Sequence, residues 1–372
     1  MAEPLKTFFS KDLAKRIAAS IAKVHPKFPS AAFVKDASAG LDGLELLARA
    51  RHMSEALHAH LPDDYEDAVD VLLRSLGPVH AQDELLGVGM GPFFYLPHTT
   101  FVATHGLDHF DVSMRAQHAL TQRFTCEFSI RPFLARHREK TVKVLRAWTK
   151  DPSAHVRRLV SEGTRPYLPW GSRVPWLVDE PDALLPFLEA LKDDPSTVVR
   201  RSVANHLNDH ARNHPDWVCD VAERWLRGAS EERRALVDHA LRSRVKAGDR
   251  RALTILGFGG EAKVEVTDVS FSPKRLAIGG STRIDVTLVS RAKATQSLAV
   301  DLVVHFVKAR GESSPKVFKI GRYDLPAKAS RTIGKSVSLA VHTTRKPYAG
   351  RHRVDVVVNG RTFPVGAFDV TG

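Results

Sequence analysis

Up to about residue 255, apolar positions recur at i, i+3, i+4 and i+7, the spacing of a helix that buries one face. The opening segment shows it: Leu13, Ile17, Ile21 and Val24 fall on one stripe, with Ser10 placed as an N-cap. The same period runs through residues 65–76, 143–149 and 217–226, separated by short breaks containing Pro and Gly. From Val264 the period shortens to two. Alternating runs at 264–271, 283–289, 298–307, 317–320, 335–340, 353–358 and 362–369 predict about seven short strands. Turn signals stand between them at Ser272-Pro273, Gly279-Gly280, Arg310-Gly311 and Asn359-Gly360. Seven strands in this span fit an immunoglobulin-like sandwich, with Tyr348 placed as a tyrosine corner before a strand. The cysteine pair of antibody domains is absent from this stretch, so the likeness is one of architecture.

The helical part repeats itself. Asp151-Pro152-Ser153 is followed by Val156, Arg157, Arg158 and Val160; Asp194-Pro195-Ser196 is followed by Val199, Arg200, Arg201 and Val203, at an offset of 43 residues. A further step back lands on Val112 to Ala116, a degenerate copy that keeps Arg115. Such a period suits HEAT-type helix pairs. The Asp is expected to cap each helix with Pro at its first position, and the valines to point inward. Matched positions of stacked repeats share a face, so Arg115, Arg158 and Arg201 are expected to form a ladder suited to phosphates, or to pair with acids of neighbouring repeats. The fold class predicted is therefore multidomain: an all-α HEAT-like solenoid (1–255), a linker (256–263) and an all-β immunoglobulin-like sandwich (264–372).

Charge adds a partner. The chain carries net +13, and the share is uneven. Residues 261–372 hold 19 Lys and Arg against 9 Asp and Glu, whereas the preceding 260 hold 36 against 33. A basic module attached to a nearly neutral one points to an acidic polymer. No apolar run approaches the roughly 20 residues of a membrane span. The first residues lack a targeting pattern, and the cytoplasm is the expected address. Two cysteines, Cys126 and Cys219, exclude a disulfide framework and are expected to be buried and reduced.

Three longer segments identify a family. Residues 104–110 (Thr-His-Gly-Leu-Asp-His-Phe), 120–134 (Leu-Thr-Gln-Arg-Phe-Thr-Cys-Glu-Phe-Ser-Ile-Arg-Pro-Phe-Leu) and 156–170 (Val-Arg-Arg-Leu-Val-Ser-Glu-Gly-Thr-Arg-Pro-Tyr-Leu-Pro-Trp) resemble the AlkC family of HEAT-like-repeat alkylbase DNA glycosylases. Residues 199–209, the opening 5–9 and the glycine-rich 87–97 extend the likeness over about 5–250, and 264–372 fits the variant with a C-terminal immunoglobulin-like domain. The resemblance implies a monofunctional base-excision-repair enzyme that needs no cofactor. It would act as a monomer on double-stranded DNA with alkylated bases, releasing 3-methyladenine or 3-methylcytosine without full base flipping.

Cleaving a glycosidic bond builds positive charge at C1′, so anionic or electron-rich groups and a positioned water are needed. Glu127, expected on a helix among Phe124, Phe128 and Ile130, is either part of that site or an i,i+4 partner of Arg131. Asp209, one turn beyond Asn205 and next to Asn208, can hold a water and a sugar oxygen, or pair with Arg212. Trp170, beyond Tyr167 at a helix-to-loop transition, offers a π face to the sugar or cationic base, or plugs a helix interface. With the resemblance, these three become the expected catalytic set. Arg158 reaches a flanking phosphate or orients a carboxylate; Arg115, Arg157, Arg165, Arg200 and Arg201 are further phosphate candidates. In the sandwich, Arg345, Lys346, Arg351 and Arg353 cluster as DNA contacts. His206, His210 and His214 share one helical face, but no zincin Glu follows and no metal site is expected. The Gly87-to-Gly91 run lacks the lysine of a nucleotide loop.

The competing readings are a non-catalytic HEAT scaffold and a DNA binder without enzymatic activity. Phosphate-driven binding loses affinity steeply with salt, which a protein-binding groove does not. Removal of residues 262–372 is expected to weaken DNA binding, read by titration of labelled duplex, and to leave the helical part folded; unaltered affinity would remove the basic module from the interface.

Overall fold

A computed structural model describes residues 5–79, 91–341 and 346–372. The chain forms two compact units, one of residues 1–214 with 229–240, the other of residues 215–228 with 241–372. Among the described residues, no helix is long and apolar enough to cross a membrane.

The first unit is helical. Its opening helix, Lys11–Ala22, buries Leu13, Ile17 and Ile21 as the stripe requires, though Ser10 at its N-cap makes no side-chain cap bond. The Tyr65–Arg74 helix is capped by Asp64, whose carboxylate accepts the Asp67 N–H at 3.0 Å. The 43-residue repeat is physical. The helices Phe110–Thr121, Ala154–Gly163 and Thr197–His210 carry the repeat arginines, and each packs on the next; Thr197–His210 then packs on Glu231–Ala240. Val156, Val160, Val199 and Val203 are wholly buried between them.

The caps differ from expectation. Ser153 and Ser196, not the aspartates, occupy the N-cap positions, and Pro152 and Pro195 precede the helices. Asp151 and Asp194 act one step earlier, each accepting the N–H of the serine two residues on at 2.8 Å. The first arginine of each pair completes the motif. Arg157 donates to the carbonyls of Asp151 and Pro152, and Arg200 to those of Asp194 and Pro195. These arginines satisfy orphan carbonyls of the interrepeat loop.

In the second unit, eight strands among the described residues make two sheets: β1 (Val264–Ser272), β2 (Arg275–Ala277), β3 (Ser281–Ser290), β4 (Gln296–Val307), β5 (Ser313–Leu325), β6 (Ser330–Ser338), β7 (Gly350–Val358) and β8 (Arg361–Thr371). One sheet has the order β1-β3-β6, the other β2-β8-β7-β4-β5, with β2 parallel to β8 and the other pairs antiparallel. Alternate residues such as Val300, Leu302, Val304, Val354, Val356 and Ile284 fill the space between the sheets. The strand the sequence did not show, β2, is three residues long, too short to display a period. The buried ring at the expected tyrosine corner is His352. It stacks on Phe368 and its Nε2 donates to the Tyr348 carbonyl at 3.2 Å, while Tyr348 itself is half-buried. Both cysteines are buried and free.

The short helix Arg250–Ile255 belongs to this second unit, where Leu253 and Phe258 pack on Ala299 of β4. A cut at residue 262 therefore uncovers two apolar side chains, a consequence the sequence did not show. The β7–β8 turn reinforces the same place. Asn359 and Gly360 take left-handed conformations (φ 47° and 79°), as a two-residue hairpin needs. The Asn359 side chain accepts the Ala299 N–H at 2.8 Å and donates to the carbonyls of Gly260 and Ser297. Asn359→Ala should lower the stability of this unit by about 1–3 kcal/mol, since it strands these groups and puts alanine at positive φ. Denaturant unfolding of the full chain reads the loss, and an unchanged midpoint would remove Asn359 from the staple.

Candidate active site

A cleft of about 390 Å³ opens in the first unit, lined by Phe93, Phe124, Thr125, Glu127, Phe128, Arg158, Glu162, Arg165, Leu168, Trp170 and Val198, with Pro92 and Pro169. Its walls are mostly apolar; its charge is concentrated in one chain of contacts. Glu127 accepts from Thr125 Oγ1 at 2.6 Å and lies 3.1 Å from Arg158 Nη2. Arg158 stands 3.7 Å from Glu162, one helical turn on. Glu162 accepts from Arg165 Nη1 and Ser202 Oγ, both at 2.6 Å. Arg165 then grips Asp209 with two donors, at 2.9 and 3.1 Å. The order is carboxylate, guanidinium, carboxylate, guanidinium, carboxylate, which leaves one net negative formal charge.

Local structure places each member. Glu127 sits in a turn between Phe110–Thr121 and the short helix Arg131–Arg136. This turn lies close against the C-terminal end of Ala154–Gly163. A Cβ on Gly163 would stand 2.6 Å from Ile130 Cγ2, so glycine permits the approach that brings Glu127 to Arg158. Arg158 and Glu162 share the Ala154–Gly163 helix at i,i+4, and Arg165 follows its end. Asp209 and Ser202 come from Thr197–His210, which packs on that helix.

The electrostatics favour the charged forms. Burial opposes ionisation of Glu162, but Arg158 and Arg165, with the Ser202 hydroxyl, outweigh it and hold its carboxyl below the usual glutamate range. Burial likewise works against the charge on Arg158 and on Arg165; their carboxylate partners overcome it and raise both guanidinium pKa values. Opposite charges at these distances in a partly desolvated site are mutually dependent: removing one strands the other.

Trp170 differs from the rest of the lining. It is 60% exposed and holds φ at 63°, a left-handed conformation uncommon for a bulky residue. An interhelix plug would be buried, so that reading is excluded.

Of the residues expected from sequence, Glu127, Trp170, Arg158 and Arg165 line one cleft, and Asp209 joins it through Arg165. Several expectations need correction. Glu127 is in a turn, not a helix, and its ion-pair partner is Arg158, not Arg131. Asp209 is held by Arg165, not Arg212, which lies over the Tyr167 ring. Arg165 and Arg157 are already engaged by carboxylates, Arg157 by both oxygens of Asp194, so neither is an open phosphate contact. Arg200 is used in its loop. Arg115 is exposed and pairs with Glu66; Arg201 is exposed and bonds to His239, which also meets Asn205. Asn208 is half-buried on the same helix. Lys346, Arg351 and Arg353 are exposed in the second unit, the last two on alternate positions of β7. Arg345 and residues 87–90 lie outside the described residues.

His206 and His210 are buried with their rings stacked, His206 Nδ1 meeting the Ser161 carbonyl. Burial lowers both pKa values, that of His210 to about 4. Among the described residues, no group of three His, Cys, Asp or Glu is placed to hold a metal.

Sequence reasoning missed Glu162, the centre of the chain, along with Thr125 and Ser202. A signal was present: an acid beside Leu159 and Val160 on the core side of a helix, with Arg four residues before and three after.

Comparisons with known proteins agree with this architecture. The family model described as DNA alkylation repair enzyme matches residues 123–243, and the C-terminal immunoglobulin-like domain of the uncharacterised protein YhaZ matches 265–372. The uncharacterized protein YhaZ of Bacillus subtilis (strain 168) is 33% identical over 357 residues, 96% of each chain. The Pseudomonas fluorescens alkylpurine DNA glycosylase AlkC, solved bound to DNA containing an abasic site analog, is 36% identical over the whole of both chains, with a TM-score of 0.92. This chain therefore belongs to the AlkC family of HEAT-like-repeat alkylbase DNA glycosylases, in the variant that carries a C-terminal immunoglobulin-like domain.

Proposed function

We propose that this chain is a monofunctional DNA glycosylase of alkylation repair, hydrolysing the N-glycosidic bond of cationic bases such as 3-methyladenine and 3-methylcytosine in duplex DNA. The observation that carries the reading is the net negative chain of Glu127, Arg158, Glu162, Arg165 and Asp209 beside the exposed Trp170.

In the reaction, the bond from C1′ to the base nitrogen breaks and its electrons leave with the base. A base that is already cationic departs neutral and needs no proton. That suits this cleft, where the carboxylates accept hydrogen bonds from arginines and serve as anions, not acids. Positive charge grows on C1′ and is stabilised by the fixed anions, already oriented before the bond breaks. A water attacks C1′, and its proton passes to Glu127 or Asp209. No lysine is among the described residues of the cleft lining, which favours water over an amine nucleophile. The Trp170 ring supplies a π face for the sugar or the cationic base, a contact worth ~1–2 kcal/mol when desolvated. An open cleft walled by Phe93, Phe128 and Trp170 also fits a base that stays near its stack. Exposed Arg115, Arg201, Lys346, Arg351 and Arg353, with Asn205 and Asn208, are the proposed DNA contacts.

Methylated duplex DNA incubated with the protein is expected to release free 3-methyladenine, read by chromatography of the released bases. Glu127→Gln or Asp209→Asn should each cut the single-turnover rate by ~100-fold, equal to ~2.7 kcal/mol of transition-state stabilisation. Undiminished release in both variants would reject these roles, and no release by the native chain would leave a DNA binder.

The lowered pKa of Glu162 also sets a pH range. Its carboxylate stays charged as pH falls through the usual glutamate value of 4.5, so protonation of this group should slow release only below that point. Glu162→Gln should remove that lower limb from the rate profile. A limb that persists in the variant assigns it to another group.

A further inference from the structure

The segment from Thr164 to Gly171 supplies four residues of the cleft, Arg165, Leu168, Pro169 and Trp170, yet contains no helix or strand. Its Trp170 adopts φ 63°, so local preference works against the conformation that exposes the ring. Contacts from outside the segment must hold it.

Arg131 reaches it from outside, and Tyr167, within the segment, ties it to side chains beyond it. Arg131 is 1% exposed, and its guanidinium donates to the carbonyls of Gly163 and Arg165 at 2.9 Å and of Ser172 at 2.5 Å. These acceptors flank the loop at both ends. Burial, with Arg173 and Arg165 nearby, brings the Arg131 pKa down to about 10. A desolvated cation thus serves backbone carbonyls, and the planar fork of arginine reaches three at once through Nε and Nη1. Tyr167, inside the loop, donates its hydroxyl to Asn213 Oδ1 at 2.5 Å and carries Arg173 and Arg212 over its ring at 4.2 and 4.8 Å. Arg173 in turn donates to the Pro166 carbonyl.

We infer that Arg131 and Tyr167 are positioning residues that hold the 164–171 loop in the conformation presenting Trp170 to the cleft. Neither touches the reacting atoms; both act through Trp170. The effect on base release rests on the glycosylase reading, whereas the effect on the loop does not.

The test uses the full chain in two arms. In the first, the protein is labelled with 5-fluorotryptophan, and the Trp170 line among its five tryptophans is assigned by its loss in Trp170→Phe. Arg131→Lys and Tyr167→Phe are expected to shift or broaden that line in the ¹⁹F spectrum. In the second, single-turnover release from methylated duplex DNA is measured with and without Trp170→Ala. Arg131→Lys should slow release ~10-fold and Tyr167→Phe ~3-fold when Trp170 is present, and neither should slow it further when Trp170 is absent. An unmoved Trp170 line, or equal losses in both backgrounds, overturns the inference. If Arg131→Lys does not fold, Tyr167→Phe, which lies at the surface, decides by the same two criteria. If the native chain releases no base, the functional reading fails and the spectrum alone decides the brace.

Discussion

Arg158 and Arg165 each stand between two carboxylates, and the site depends on that alternation. Five charged groups from three stretches of chain are brought out of bulk water, which is costly for any one of them alone. Each is stable there because its neighbours carry the opposite sign and supply hydrogen bonds. The set ends in a carboxylate at both ends, so these five groups sum to one negative charge. The same arithmetic explains why the walls are apolar. Phe93, Phe124, Phe128 and Val198 lower the local polarity, which strengthens the attraction between the carboxylates and guanidinium groups.

The repeat architecture divides labour between adjacent arginines. Side chains one residue apart on a helix point about 100° apart. Arg157 therefore turns to its own loop and to Asp194 of the next repeat, while Arg158 turns to the cleft. The same pair one repeat on shows the first role conserved in geometry, with Arg200 on its loop carbonyls, and the second role changed, with Arg201 on His239. A structural motif shared by these two repeats has been given acidic partners at one of them, where Glu127 and Glu162 converge. In the other unit, the last helical segments cluster with the sandwich, and Phe258 and Asn359 bind them to β4.

Much of the architecture was legible because burial imposes a period. The change from three-and-four spacing to alternation located the passage from helices to strands, and similar loop-and-helix segments 43 residues apart revealed the repeat. The exceptions have local causes. Strand β2 is too short to show a period, and the turn at Glu127 is flanked by aromatic residues whose spacing mimics a helix. The caps were misplaced by two residues because Asp-Pro-Ser offers two oxygens that can accept an N–H, and sequence does not choose between them.

The sequence by itself determined which segments bury a face, where the basic charge is concentrated, and that the chain resembles the AlkC family. Those are properties of neighbours along the chain, set by spacing and composition. Only the tertiary structure decided which arginine meets which acid. Glu127 had Arg131 within reach on a helix and Asp209 had Arg212, yet a turn and the packing of Ala154–Gly163 on Thr197–His210 gave them Arg158 and Arg165 instead. Electrostatic partnership depends on distance through space, and residues 31 and 44 apart in the chain come within hydrogen-bond range only once the repeats have stacked.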